Sequence, residues 1–174
     1  MMRASLTISV LTASLGVVHG AIAAPAQLYN KTIFIRWSEQ VTQKGPDGKV
    51  INRTISSERA VYVSSAGRTF VRGTRTSSSG LGEKFERSPG EGVSQGVLGF
   101  QGNQLVGTAV QTGFARRVVG SFDAGFTSCS ASVVYGKSGG PTTWKGFDGV
   151  TYEVLSISVS GASCSIRDGN AFAN

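Results

Sequence analysis

The stretch KTIFIRW, residues 31–37, decides the fold class. Its side chains alternate, with Ile33, Ile35 and Trp37 on one face of an extended chain and Thr32, Phe34 and Arg36 on the other. Its β-branched and aromatic content suits a half-buried strand. The same period of two runs through ERAVYVSS (58–65), RTFVRG (68–73), NQLVGTAV (103–110), FARRVVGSF (114–122), CSASVVYG (129–136) and VTYEVLSISVS (150–160). No part of the chain beyond its N-terminal leader sustains a helical period. Between the runs stand turn signals: GPDGK (45–49), SAGR (65–68), QGN (101–103) and SGAS (160–163). The pattern predicts an all-β domain of eight to ten short strands. They form an antiparallel meander closed as a small barrel, the first choice, or folded as a two-sheet sandwich. The segment 73–96, GTRTSSSGLGEKFERSPGEGVSQG, is rich in Gly and Ser and reads as a flexible loop.

Ahead of this domain, residues 1–26 read as a secretory leader. Arg3 is followed by an apolar run from Leu6 to Val18, and then by small residues that fit cleavage after Ala23 or Ala26. The run falls short of the roughly 20 residues a membrane-spanning helix needs. Residues 27–174 then form one domain, of a size that buries a sizeable core. Cleavage removes His19, the only histidine, together with Arg3. The remaining excess of Lys and Arg over Asp and Glu gives a soluble basic surface, or one that draws in a partner: anionic lipid, acidic polysaccharide or protein. Nucleic acid is not expected as a partner.

The two cysteines, Cys129 and Cys164, are each flanked by serines. A tetrahedral metal site cannot be filled from two cysteines without histidine, and a redox pair normally sits as C-x-x-C. In an exported chain an even cysteine count reads as a structural disulfide, and parity turns Cys129 (with Ala131 and Val133) and Cys164 (with Ile166) toward the apolar face. Neither cofactor nor metal is expected.

Motifs for catalysis fail on context. GVSQG (92–96) fits the nucleophile-elbow pattern around Ser94, but no histidine is left to activate the hydroxyl, and the stretch does not join a strand to a helix. ASVVYGKS (131–138) meets a loose phosphate-loop pattern, yet its middle is a strand and GGPTTWKGF cannot open a helix. The sequons at Asn30 and Asn52 carry meaning only in a eukaryotic export pathway. Among Asp123, Asp148, Glu153 and Asp168 no spacing singles out a catalytic pair. The reading is non-catalytic.

Parity singles out two charges. Arg116 shares a face with Phe114, Val118 and Phe122, and Glu153 shares one with Leu155, Ile157 and Val159. A charge on an inward face must be paired or hydrogen-bonded. These two therefore meet each other, receive a ligand, or snorkel at strand ends. With Trp37 they form the candidate ligand site.

A tryptophan early in the first strand and an arginine late in a small exported barrel resemble lipocalins and their bacterial protease-inhibitor relatives; where that family has a glycine two residues before the tryptophan, this chain has Ile35. LYNKTIFIRW (28–37), SSAGRTF (64–70) and SCSIRDGNAFAN (163–174) are similar to small secreted proteins of soil alphaproteobacteria, a resemblance that implies a periplasmic or extracellular location and no activity. Two functions follow. One is an exported binding module for an apolar or anionic ligand, which calls for an interior cavity of roughly 300 Å³ or more. The alternative is a structural or interaction protein with a filled core, such as a protease inhibitor presenting the 73–96 loop.

Overall fold

The structure is a computed structural model that describes residues 23–87, 96–111, 113–137 and 142–173. Residues 1–22, most of the segment read as a leader, and Ser94 lie outside the described residues. After a single 3-10 turn at Ala26–Leu28, the alternating stretches form ten strands: β1 (Lys31–Lys44), β2 (Val50–Val63), β3 (Thr69–Ser77), β4 (Gly82–Arg87), β5 (Gly96–Gln101), β6 (Gln104–Gln111), β7 (Phe114–Phe122), β8 (Cys129–Lys137), β9 (Thr143–Lys145) and β10 (Thr151–Asp168). They pair in two antiparallel sheets, a six-stranded one in the order β4-β3-β2-β1-β10-β9 and a four-stranded meander β5-β6-β7-β8. The larger sheet curls into a half-barrel and the smaller packs against it. The all-β antiparallel fold is as expected, and of its two expected arrangements the ladders give two packed sheets, one of them curled as a half-barrel, with β8 lying alongside β10 without a hydrogen-bonded ladder.

One turn geometry recurs. At GPDGK the N–H of Gly45 donates to Lys49 O (2.9 Å) and that of Gly48 to Gly45 O (3.0 Å); GFDGV (146–150) repeats it from Gly146 to Val150 O (2.7 Å) and from Gly149 to Gly146 O (2.9 Å). Gly48 and Gly149 sit at φ 81° and 80°, the left-handed position that closes a type I turn into a right-twisted hairpin. Asp47 and Asp148 each accept the backbone N–H two residues on, at 3.1 Å.

Two expectations give way here. Most of the described part of the segment read as a loop over 73–96 is strand, β3 running to Ser77 and β4 from Gly82 to Arg87; residues 88–95 lie outside the described residues. SGAS is not a turn either. It is a bulge inside the continuous β10, where Arg36 faces Ser163, Ser38 faces Ser160, and Gly161 takes φ 62°.

The space between the sheets is layered along the strands. One apolar cluster holds Leu28, Ile33, Ile35, Trp37, Val61, Val63, Phe100, Leu105, Val118, Phe122 and Val133. A second holds Val41, Ile55, Phe114, Trp144, Tyr152 and Val154. On β1, β2 and β7 the inward positions between these clusters are polar: Glu39, Ser57 with Arg59, and Arg116. The disulfide joins Cys129 on β8 to Cys164 on β10 across 35 residues, with Cα atoms 5.5 Å apart, and packs against the first cluster. It ties the two sheets together where no ladder does.

Candidate functional site

The middle layer is a charge network built around Glu39. The alternation that turns Ile33, Ile35 and Trp37 inward continues to Glu39, whose side chain is fully buried. Its Oε1 accepts from Trp37 Nε1 at 2.7 Å and from Ser57 Oγ at 3.4 Å, and Oε2 accepts from Arg75 Nη2 at 2.8 Å. Arg116 Nη1 approaches Oε1 to 3.5 Å and donates to the Tyr135 hydroxyl, also at 3.5 Å. Arg75 reaches outward through Nη1 to the half-exposed Glu83, 3.3 Å away. The guanidiniums also lie over rings, Arg116 over Trp37 at 5.5 Å and Arg75 over Trp144 at 5.4 Å.

Burial pushes the Glu39 carboxyl toward its neutral form, but Arg75, the Tyr135 hydroxyl, Arg116 and Trp37 together outweigh it and hold the group below the ordinary carboxylate value. Arg59 stacks 4.3 Å from the Phe85 ring. Its guanidinium is driven well down from its ordinary value, first by burial and then by Arg116 and Arg75 nearby. Burial raises Tyr135, so its hydroxyl stays protonated and able to donate.

Of the three residues that the sequence nominates, Trp37 and Arg116 meet in this network and Glu153 does not. The side chain of Glu153 is exposed, its strand position facing Thr143 of β9 and Lys44 of β1. The cause is a bulge: Gln43 faces Val154 but Thr42 faces Ser156, so Leu155 is skipped and the parity of β10 inverts there. Tyr152 and Val154 are buried while Glu153 and Leu155 point out. The partner of Arg116 is Glu39, and the same parity argument that picked out Arg116 identifies it once β1 is followed past Trp37.

The network fills its layer. The space beside Arg75, Arg116, Tyr135 and Trp144 is only about 10 Å³, and a second recess, between Arg75, Trp144 and Phe147, about 40 Å³. Neither space approaches the roughly 300 Å³ that an enclosed ligand requires.

A larger concavity lies on the opposite face of the six-stranded sheet. It is an open groove of about 370 Å³ lined by Arg36, Ser38, Ser56, Glu58, Thr74, Thr76 and Gly161, with the inward-facing Trp37 and Ser57 also at its floor. Strand register makes it: Ser160, Ser38, Ser56 and Thr76 form one row across β10, β1, β2 and β3, and Ser163, Arg36, Glu58 and Thr74 form the next. Elsewhere on this face polar side chains bond each other, Thr54 to Gln40 at 3.1 Å and Thr42 to Asn52 at 2.8 Å. The hydroxyls of Ser38, Ser56, Thr74 and Thr76 have no protein partner among the described residues. Register also places Arg36, Lys44, Arg72, Lys84, Lys145 and Arg167 on this outer face, against Glu58, Glu86 and Glu153. Arg36 pairs with Glu58, and it flanks the Phe34 ring with Arg167, at 5.2 and 5.3 Å.

No protein-family model, no curated protein and no solved structure matches this chain. Among the described residues, no three His, Cys, Asp or Glu side chains gather as they would around a metal ion, and no helix is long and apolar enough to cross a membrane.

Proposed function

We propose that this protein is an exported, non-catalytic binding module that takes an acidic polysaccharide along the outer face of its six-stranded sheet. The observation that carries the reading is the contrast between the two faces. The inner one is closed by buried ion pairs around spaces of about 10 and 40 Å³, and the outer one offers an open groove of about 370 Å³ whose hydroxyls are unpartnered. A row of free Ser and Thr hydroxyls repeating at the spacing of strands, about 4.8 Å, suits the hydroxyls of a sugar chain, which both donate and accept. The excess of cations on the same face suits its carboxylates. An anionic membrane is the less favoured partner, because the large apolar side chains at the surface (Val50, Leu81, Val110, Val134, Val150, Leu155) are scattered and none lines the groove. The disulfide and the secretory leader support export.

The test is affinity electrophoresis of the mature chain through gels containing polygalacturonate, a neutral dextran, or neither. Polygalacturonate should retard the protein, dextran less so, and the retardation should fall steeply as salt rises toward 0.5 M, where surface charges are screened within about 4 Å. Ser56→Trp, which fills the groove from an exposed strand position, should abolish the retardation while circular dichroism stays unchanged. Equal migration in all three gels overturns the reading. Binding only to vesicles containing an anionic lipid also overturns it, in favour of a membrane partner.

A further inference from the structure

The charge network holds a second feature, independent of the groove. Arg75 and Arg116 are each only 7% exposed, yet the Nε–H of each has no hydrogen-bond partner among the described residues. A buried donor left unmatched is costly, and more so when its group is charged. Both arginines line the same small space, of about 10 Å³, walled otherwise by Ala109, Phe114, Tyr135 and Trp144. That is roughly the room one water-sized sphere occupies.

The charges of this layer do not balance. Three guanidiniums, Arg59, Arg75 and Arg116, share the fully buried Glu39 and the half-exposed Glu83. The acceptors do not suffice for a water either. A bound water accepts the two Nε–H groups but then needs acceptors for its own two hydrogens. Among side-chain groups the wall offers only the Tyr135 hydroxyl oxygen, which accepts from Arg116 and has one lone pair left, so a water there keeps one of its hydrogens unmatched. A small ligand that only accepts and carries one negative charge meets these conditions, and a halide ion is the simplest such ligand.

We propose that the cavity between Arg75 and Arg116 is a binding site for a single halide-class anion, with chloride as its ordinary occupant, and that the anion stabilises the fold by completing the charge network. It binds the folded chain alone, since the two arginines come together only when β3 and β7 face each other across the core.

The experiment is thermal unfolding of the disulfide-intact mature chain at a constant 1 M ionic strength, with sodium gluconate replaced stepwise by sodium chloride. A site with a dissociation constant of about 10 mM, saturated at 1 M chloride, shifts the folding equilibrium roughly 100-fold and raises the midpoint by about 5–10 °C. Arg116→Met, which keeps the length of the side chain and leaves Glu39 paired with Arg75, should move by less than about 1 °C across the same series. Should that variant fail to fold, crystals of the wild-type chain grown in bromide decide: an anomalous peak between Arg75 and Arg116 is expected. Superimposable chloride and gluconate curves for the wild-type chain overturn the proposal. So does a full chloride effect retained in Arg116→Met, or density in the bromide crystals that carries no anomalous signal and is therefore a water.

Discussion

Replacing Glu39 by Gln removes the one fully buried negative charge among the described residues while keeping the shape of the side chain. In the wild-type chain Glu39 accepts from Arg75 at 2.8 Å and Trp37 at 2.7 Å and faces Arg116 at 3.5 Å. A glutamine oxygen can keep the Trp37 bond, but its amide then turns N–H groups toward the Arg75 guanidinium, donor against donor. Arg75 and Arg116, both more than nine-tenths buried, lose their shared counter-charge. Breaking a buried pair from one side costs about 3–5 kcal/mol, a large share of the roughly 5–15 kcal/mol that holds a domain together. For a chain of this size the midpoint should fall by about 6–20 °C. Urea and thermal unfolding of Glu39→Gln should be measured in gluconate, beside Glu153→Gln as the control. Glu153 is exposed, and its replacement should stay within about 0.5 kcal/mol. If the two variants lose the same small amount, the network does not carry the core and the reasoning fails.

Three further outcomes follow from the same structure. Because the folded-state pKa of Glu39 is lowered, its contribution is fully present above the ordinary carboxylate value of 4.5 and is lost as pH falls below it, through the folded-state value; thermal midpoints between pH 7 and 3 should therefore drop more steeply for the wild-type chain than for Glu39→Gln. Reducing Cys129–Cys164, which closes 35 residues, should cost about 4 kcal/mol on the chain-entropy relation, read as a lower urea midpoint without loss of polysaccharide retardation at 10 °C. Asp148 accepts from Arg53 Nη2 at 2.7 Å and from the Tyr152 hydroxyl at 2.8 Å, which hold its carboxyl down at about 2; Arg53→Met should raise that value toward the ordinary aspartate range in an NMR titration.

What the sequence discloses follows the physics of each element. β1 and β7 are legible because their inward positions are mostly apolar, so period two is visible in KTIFIRW and FARRVVGSF. β3 and β4 hide because their inward side carries Gly73, Arg75 and Ser77, then Glu83 and Phe85, a set that reads as loop until its partners are known. Gly73 is there because a Cβ would overlap the Phe85 ring, and Arg75 because Glu39 waits across the strands. The long β10 misleads twice, at Leu155 and at Gly161, since each bulge inverts parity without marking the sequence; that is how Glu153 came to look inward. The disulfide needs only a count and a compartment. The groove is the opposite case. Ser38, Ser56, Thr76 and Ser160 are unremarkable serines and threonines until register sets them in one row.

The central claim is that ligand is met on the outer face and not between the sheets. Backbone amide shifts of the isotope-labelled mature chain, followed by NMR during titration with an oligogalacturonate at low salt, test it directly. The largest changes should fall on Arg36, Ser38, Ser56, Glu58, Thr74, Thr76 and Ser160, with Glu39, Arg116 and Tyr135 nearly still. Changes centred on Arg116, Tyr135 and Trp144, with the groove unmoved, would contradict it.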